Sequence, residues 1–148
     1  MPYSKYFIML ADDDPDDRLL FQQALEDLSI EQHPLTFPNG KDLIDYLHKA
    51  IVLPDLLFLD INMPLKNGLE TLNEIKTDKT LQNVPIVMFS TTINPNFVQS
   101  AYLAGANLYA AKPSSYTQLV TLLRRILELD AGGLLIKRSL DRFLFETN

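Results

Sequence analysis

Cysteine is absent from the 148 residues, and histidine occurs only twice, as His33 and His48. These absences exclude disulfide frameworks, thiolate zinc sites, iron–sulfur clusters, a cysteine nucleophile and a histidine-rich metal site. Apolar runs are short as well: none approaches the roughly 18 residues that cross a bilayer, and the N-terminus carries no secretory pattern. We therefore expect a cytoplasmic protein without a membrane partner.

Basic residues are also few. Thirteen Lys and Arg stand against 19 Asp and Glu, which gives a net charge of −6. Binding to nucleic acid depends on positive charge placed against the phosphates, so no nucleic-acid partner is expected. A hydrophobic content of 47% with 22% charged residues is typical of a globular domain. We predict one domain over residues 1–130 and a helical tail over residues 131–148.

Five short apolar runs predict β-strands, because they are bounded by Pro, Gly or Asp and are shorter than a typical helix. Helical patterns fill the intervals between them. Continuously apolar strands have both faces covered, and the intervals are long enough for right-handed parallel crossovers. The sequence therefore predicts an α/β fold, a doubly wound parallel sheet of five strands with helices on both faces. The five runs are residues 5–11, 34–38, 55–60, 84–90 and 108–111.

A run of acidic residues marks the start of the first helix. Asp14 is predicted to be the N-cap, and Pro15 occupies the first helical position. Asp16 and Asp17 then fall in the first turn, where negative charge is favourable. We interpret these two residues as helix-start charges rather than as members of a site.

Polar side chains collect where the predicted strands end. Asp12 and Asp13 follow the first strand, Asp60 ends the third, Ser90 ends the fourth, and Lys112 follows the fifth. The carboxyl ends of parallel strands share one edge of the sheet, and ligands bind there. An all-oxygen set without His or Cys suits Mg²⁺, and Mg²⁺ beside a lysine suits phosphate, with a carboxylate available as nucleophile. The sequence predicts an acidic Mg²⁺ site that handles phosphoryl groups.

Four segments carry a resemblance to a known family. They are the Asp12–Asp13 pair, LDINMPLKNG around Asp60, PIVMFS ending in Ser90, and GANLYAAKP ending in Lys112–Pro113. Over roughly residues 5–130 the sequence resembles the receiver domain of two-component response regulators, the CheY-like family. The resemblance implies the flavodoxin/CheY-like fold.

The resemblance also implies the residues that hold the metal. Asp60 would be the phosphoacceptor and a ligand of Mg²⁺, and Asp13 would bind the ion directly. Asp12 would bind it mainly through water, and Asn62 would contribute its backbone carbonyl.

Three further roles and one peptide isomer follow from the resemblance. Ser90 would hydrogen-bond the phosphoryl group, and Lys112 would pair with that group. Tyr109 occupies the position of the switch aromatic, which is expected to turn inward when Ser90 moves toward phosphate. The Lys112–Pro113 peptide is expected to be cis.

The function implied is that of a stand-alone response regulator in a phosphorelay. It would accept phosphate from a histidine kinase or phosphotransfer protein on Asp60 and signal to a downstream protein target. Phosphoryl transfer and hydrolysis would be slow and self-catalysed, as in a switch rather than a metabolic enzyme. Two alternatives stay open: a Mg²⁺-dependent phosphohydrolase with an aspartate nucleophile, and a receiver-like interaction module that is never phosphorylated.

The tail carries an apolar stripe at helical spacing, made of Ile136, Leu140, Phe143 and Leu144. An exposed stripe of this kind needs a partner. It could fold back on its own domain or extend the fifth helix into a homodimer contact, and the fourth helix, fifth strand and fifth helix offer a second dimer surface. The tail is also similar to those of phytochrome-associated response regulators.

Overall fold

A parallel sheet with helices on both faces forms the centre of the molecule. The structure is a computed structural model that describes residues 2–135 and 138–146. All strand pairs are parallel, and the strand order is β2-β1-β3-β4-β5-β6. The predicted fold class is confirmed, although six strands are found where five were predicted. The elements are β1 (Ile8–Ala11), α1 (Pro15–Asp27), β2 (Leu35–Phe37), α2 (Gly40–Lys49), β3 (Leu56–Leu59), α3 (Gly68–Thr77), β4 (Ile86–Ser90), α4 (Pro95–Ala104), β5 (Leu108–Ala111), α5 (Tyr116–Ala131), α6 (Leu140–Phe143) and β6 (Leu144–Phe145).

Alternate residues of the central strands supply two separate cores. In β3, Leu56 and Phe58 face the core that is completed by α1 and α5. Leu57 and Leu59 face the opposite core, which α2, α3 and α4 complete. Successive side chains of a strand point to opposite faces, so a strand covered on both sides has to be apolar throughout. This explains why the strands of this sequence show no alternation of polar and apolar residues.

The first helix begins at the predicted N-cap, and α5 is capped in the same way. The Asp14 carboxylate accepts hydrogen bonds from the backbone N–H groups of Asp16 and Asp17. Ser115 caps α5 by accepting from the N–H of Gln118. None of the helices in the described part of the chain has the length and apolar content needed to cross a membrane.

The prediction of a helical tail is largely wrong, because in residues 132–135 and 138–146, the tail residues described beyond α5, the structure has only one helical turn, α6, followed by the short strand β6. Leu144 and Phe145 pair with Tyr109 and Ala110 of β5, so the open edge of the sheet draws the tail into an extended conformation. Phe143 is fully buried beside that edge. Among the stripe residues, Ile136 lies outside the described residues. The tail therefore packs on its own domain in this structure, and the division at residue 130 stays a prediction.

The sheet order positions the functional groups. β1 lies between β2 and β3, and the chain returns across β1 to reach β3 and β4. The carboxyl ends of β1, β3, β4 and β5 consequently meet at one edge of the sheet. This point of strand reversal is where open α/β sheets bind ligands.

Candidate functional site

Three carboxylates converge at the carboxyl ends of β1 and β3. Asp12, Asp13 and Asp60 each offer an oxygen atom, and these atoms lie within 4.8 Å of one another. An oxygen-only set of this size fits a small hard cation that keeps some of its water. The three side chains could therefore hold a divalent metal ion.

Two of these carboxylates are buried and oriented by backbone N–H groups. Asp12 is fully buried and Asp60 is 7% exposed. Asp12 Oδ1 accepts the N–H of Asp14 at 3.0 Å, and Asp60 Oδ1 accepts the N–H of Ile61 at 2.7 Å. Burial of a charge is costly unless it is paired. The Oδ2 atoms of both residues accordingly face a cation.

That cation is the ammonium group of Lys112, which follows β5. Its Nζ lies 2.6 Å from Asp12 Oδ2, 2.9 Å from Asp17 Oδ2 and 2.9 Å from Asp60 Oδ2. The side chain is 9% exposed, and the ammonium also lies 5.6 Å from the centre of the Phe89 ring. The lysine thus bridges β5 to the ends of β1 and β3.

Burial and charge act in opposite directions on this group. Burial disfavours the ammonium, but the hydrogen bonds and charges of Asp12 and Asp60 outweigh burial and raise the pKa of Lys112 above its ordinary value. Lys112 therefore stays charged at neutral pH. Burial raises the pKa of Asp12, and the hydrogen bonds from Lys112 and from the Asp14 N–H only partly offset it.

Ser90 and Tyr109 form the other side of the site. Ser90 is buried at the end of β4, where its Oγ accepts the N–H of Thr92 at 3.3 Å and its carbonyl accepts the N–H of Lys112 at 2.9 Å. The Tyr109 hydroxyl donates to the carbonyl oxygen of Thr92 at 2.5 Å. Burial raises the pKa of Tyr109 to about 12. Tyr109 is already fully inside the protein, with Phe143 of the tail against its ring.

The structure brings together most of the predicted site residues. Asp12, Asp13, Asp60 and Lys112 form one group, and Ser90 adjoins it through the backbone of Lys112. Asn62 follows Asp60 by two residues at the same strand end, is exposed, and its carbonyl role stays a prediction.

Two expectations need correction. The Lys112–Pro113 peptide is trans, as are all peptide bonds among the described residues. Asp17, interpreted as a helix-start charge, is also an ion-pair partner of Lys112. The contact was not predicted because Asp17 lies in the first turn of α1 rather than at a strand end, and helix capping alone accounts for an Asp there.

Gly68 fixes the backbone beneath Asp60, and its replacement by alanine is expected to be disruptive. An added Cβ would lie 2.0 Å from the carbonyl oxygen of Asp60 and 2.9 Å from the Cα of Ile61. Because backbone has to shift, we expect a loss of about 3 kcal/mol in the free energy of unfolding, measured with urea. Gly132→Ala, whose Cβ has no atom nearer than 3.3 Å, serves as control and should cost less than about 1 kcal/mol. Equal losses in the two variants would contradict the close approach.

Comparison with known proteins agrees with this geometry. Residues 8–124 match the family model of the response regulator receiver domain. The chain is a response regulator receiver.

Similar proteins place this receiver among phosphorylation-based signalling proteins. The response regulator Rcp1 of Synechocystis sp. is 28% identical over 124 residues, covering 80% of this chain and 84% of Rcp1. The crystal structure of the phosphorylated cyanobacterial phytochrome response regulator RcpA superposes with a TM-score of 0.79 at 33% sequence identity. The match covers 84% of this chain and 93% of the RcpA chain. The crystal structure of the Mn²⁺-bound form of Rcp1 superposes with a TM-score of 0.73 at 26% sequence identity, and the match covers 87% of this chain and 94% of the Rcp1 chain. Receivers act with histidine kinases or phosphotransfer proteins.

Proposed function

We propose that Asp60 accepts a phosphoryl group from the phosphohistidine of a histidine kinase or phosphotransfer protein. The main support is the position of the Asp60 carboxylate. It accepts the backbone N–H of Ile61 and lies beside the Lys112 ammonium and the carboxylates of Asp12 and Asp13. A carboxylate oxygen can attack phosphorus and form an acyl phosphate. The same site would then release the group to water.

Transfer of the phosphoryl group to Asp60 exchanges an N–P bond for an O–P bond. An Asp60 oxygen attacks phosphorus, the N–P bond of phosphohistidine breaks, and the imidazole nitrogen keeps the electron pair as the leaving group. To return the switch to its resting state, a water oxygen attacks phosphorus and the bond between phosphorus and the Asp60 oxygen breaks. The Asp60 carboxylate keeps the electron pair as the leaving group, and inorganic phosphate is released with the proton of the water passing to phosphate or solvent. Lys112 neutralises the phosphoryl oxygens in both steps, since its charged state is favoured by its neighbours.

The carboxylates of Asp12, Asp13 and Asp60 would hold Mg²⁺, together with the carbonyl of Asn62. The bound ion supplies screening of negative charge between the carboxylate and the phosphoryl group. The chain's own contribution is to fix the oxygen atoms, through Asp14 N–H for Asp12 and Ile61 N–H for Asp60.

Signalling would proceed through Ser90 and the loop that follows it. The Ser90 hydroxyl would donate to a phosphoryl oxygen, and because Ser90 Oγ accepts the N–H of Thr92, a shift of Ser90 toward phosphate would move Thr92 as well. Because Tyr109 bonds to the carbonyl of the same Thr92, a movement of this loop reaches the ring. Since Tyr109 already lies inward, we propose that the change is expressed at the β4–α4 loop and the adjoining α4 rather than by a turn of Tyr109 from outside.

The partners proposed are a histidine kinase or phosphotransfer protein upstream and a protein target downstream. The similar protein RcpA is a cyanobacterial phytochrome response regulator, so a phytochrome-type kinase is the first donor to examine. A homodimer through α4, β5 and α5 would include the tail, because β6 covers the free edge of β5.

Stoichiometry separates a switch from a hydrolase. Incubation with acetyl phosphate and Mg²⁺ should label the protein to no more than one phosphoryl group per chain. Intact-protein mass spectrometry measures this stoichiometry. A Mg²⁺-dependent phosphohydrolase would instead turn over small phosphate esters many times per chain. Absence of labelling from acetyl phosphate and from any histidine kinase would favour the interaction module.

A further inference from the structure

Asp17 is the partner of Lys112 that stands outside the group of carboxylates suited to a metal ion. It lies in the first turn of α1, and its side chain is 37% exposed. Its Oδ2 atom is 2.9 Å from the Lys112 nitrogen. Asp12 and Asp60, the other two partners, both belong to the metal-suited group.

The three contacts use the whole donor capacity of the ammonium. A lysine ammonium has three N–H donors and no acceptor. In this structure Asp12, Asp17 and Asp60 each accept from Lys112. Any new acceptor on Lys112, such as a phosphoryl oxygen, therefore has to replace one of them.

A divalent ion bound by the metal-suited group would lie close to the ammonium, because Asp12 and Asp60 belong to the group and are also partners of Lys112. The Oδ1 atoms of Asp12 and Asp60 already accept backbone N–H groups, while their Oδ2 atoms accept from Lys112. Two cations held by the same pair of carboxylates repel each other. When the metal ion is bound, Lys112 needs an anionic partner outside the metal-binding carboxylates. Asp17 is an ion-pair partner of Lys112 that lies outside them.

We propose that Asp17 is a positioning residue that retains the Lys112 ammonium at the rim of the site when Asp12 and Asp60 bind a divalent cation. This inference rests on the proposed function of the site. Asp17 would act through Lys112 and would not itself be a metal ligand. Once Asp12 and Asp60 no longer accept from Lys112, the two N–H groups of the ammonium that they occupied would be free to donate to a phosphoryl oxygen.

The test is Mn²⁺ affinity, followed through the electron paramagnetic resonance signal of the free ion. Asp17→Asn is expected to raise the Kd for Mn²⁺ about fivefold, because the ammonium loses its anchor and stays at the metal-binding oxygens. Asp16→Asn is the matched control: it removes the same charge from the same helical turn, and Asp16 is exposed. The control should change Kd less than about twofold. Asp17→Glu keeps the charge and should restore affinity to within about twofold of the unsubstituted protein.

A double-mutant cycle separates positioning from simple charge attraction. In the Lys112→Ala background, Asp17→Asn and Asp16→Asn should change Kd by the same factor, since no ammonium is left to anchor. The proposal is overturned if Asp17→Asn keeps its excess effect in that background, if it equals Asp16→Asn in the otherwise unsubstituted protein, or if Asp17→Glu binds as weakly as Asp17→Asn.

The readout distinguishes this proposal from the proposed function. Mn²⁺ binding requires no phosphoryl transfer, so the cycle gives its answer even if Asp60 is never labelled. Conversely, labelling of Asp60 in the unsubstituted protein would stand if Asp17 proved irrelevant to metal affinity.

Discussion

Replacing Asp60 by asparagine is expected to abolish Mg²⁺-dependent labelling by acetyl phosphate. The amide is close in size to the carboxylate, so the fold should persist, but it offers no anionic oxygen to attack phosphorus. It also removes a negative charge that the structure places 2.9 Å from Lys112 Nζ and within the group suited to a metal ion. Intact-protein mass spectrometry over a time course of labelling gives the result directly.

Asp16→Asn is the control for Asp60→Asn, because it removes one exposed carboxylate of the same type without touching Lys112. It should label to the same extent as the unsubstituted protein. Labelling of Asp60→Asn at full stoichiometry would place the nucleophile on another residue, with Asp12 and Asp13 the first to examine.

Replacing Phe143 by alanine is expected to lower the free energy of unfolding by about 3 kcal/mol. Phe143 is fully buried, with its ring centre 5.2 Å from that of Tyr102 and 6.3 Å from that of Tyr109. The change leaves a cavity between α4, β5 and the tail, or releases the tail and exposes Tyr109. Urea denaturation measures the loss, and near-ultraviolet circular dichroism reports the surroundings of the two tyrosines.

Leu140→Ala is the matched control for Phe143→Ala. Leu140 begins the same helical turn but is 47% exposed, so its truncation should cost less than about 1 kcal/mol. If the two variants unfolded at the same urea concentration, the buried position of Phe143 in solution would be contradicted.

The sheet and the helix starts could be predicted because their signals are local. A run such as Leu56–Leu59 is apolar at every position only if both faces are covered, and Asp14 followed by Pro15 marks a helix start irrespective of the rest of the chain. The rule that strand ends gather at one edge then predicted Asp60 and Lys112 as neighbours, 52 residues apart in sequence.

The tail and Asp17 could not be predicted from the same kind of signal. The stripe around Phe143 has helical spacing, yet Leu144 and Phe145 become a strand because β5 offers unpaired backbone groups beside them. Asp17 was fully explained by its own helix, and its second partner is visible only once α1 lies next to the end of β5. In both cases a distant element decides the outcome.

The addition of β6 to the sheet has a consequence for self-association. The two outermost strands are now β2, with three residues, and β6, with two. Pro34 and Pro38 flank β2, and proline has no N–H to donate to a neighbouring molecule. Long unpaired strands are the places where sheets of separate molecules join into aggregates. By pairing a strand from its own tail with β5, the described part of the chain presents short edge strands, β2 and β6, to neighbouring molecules.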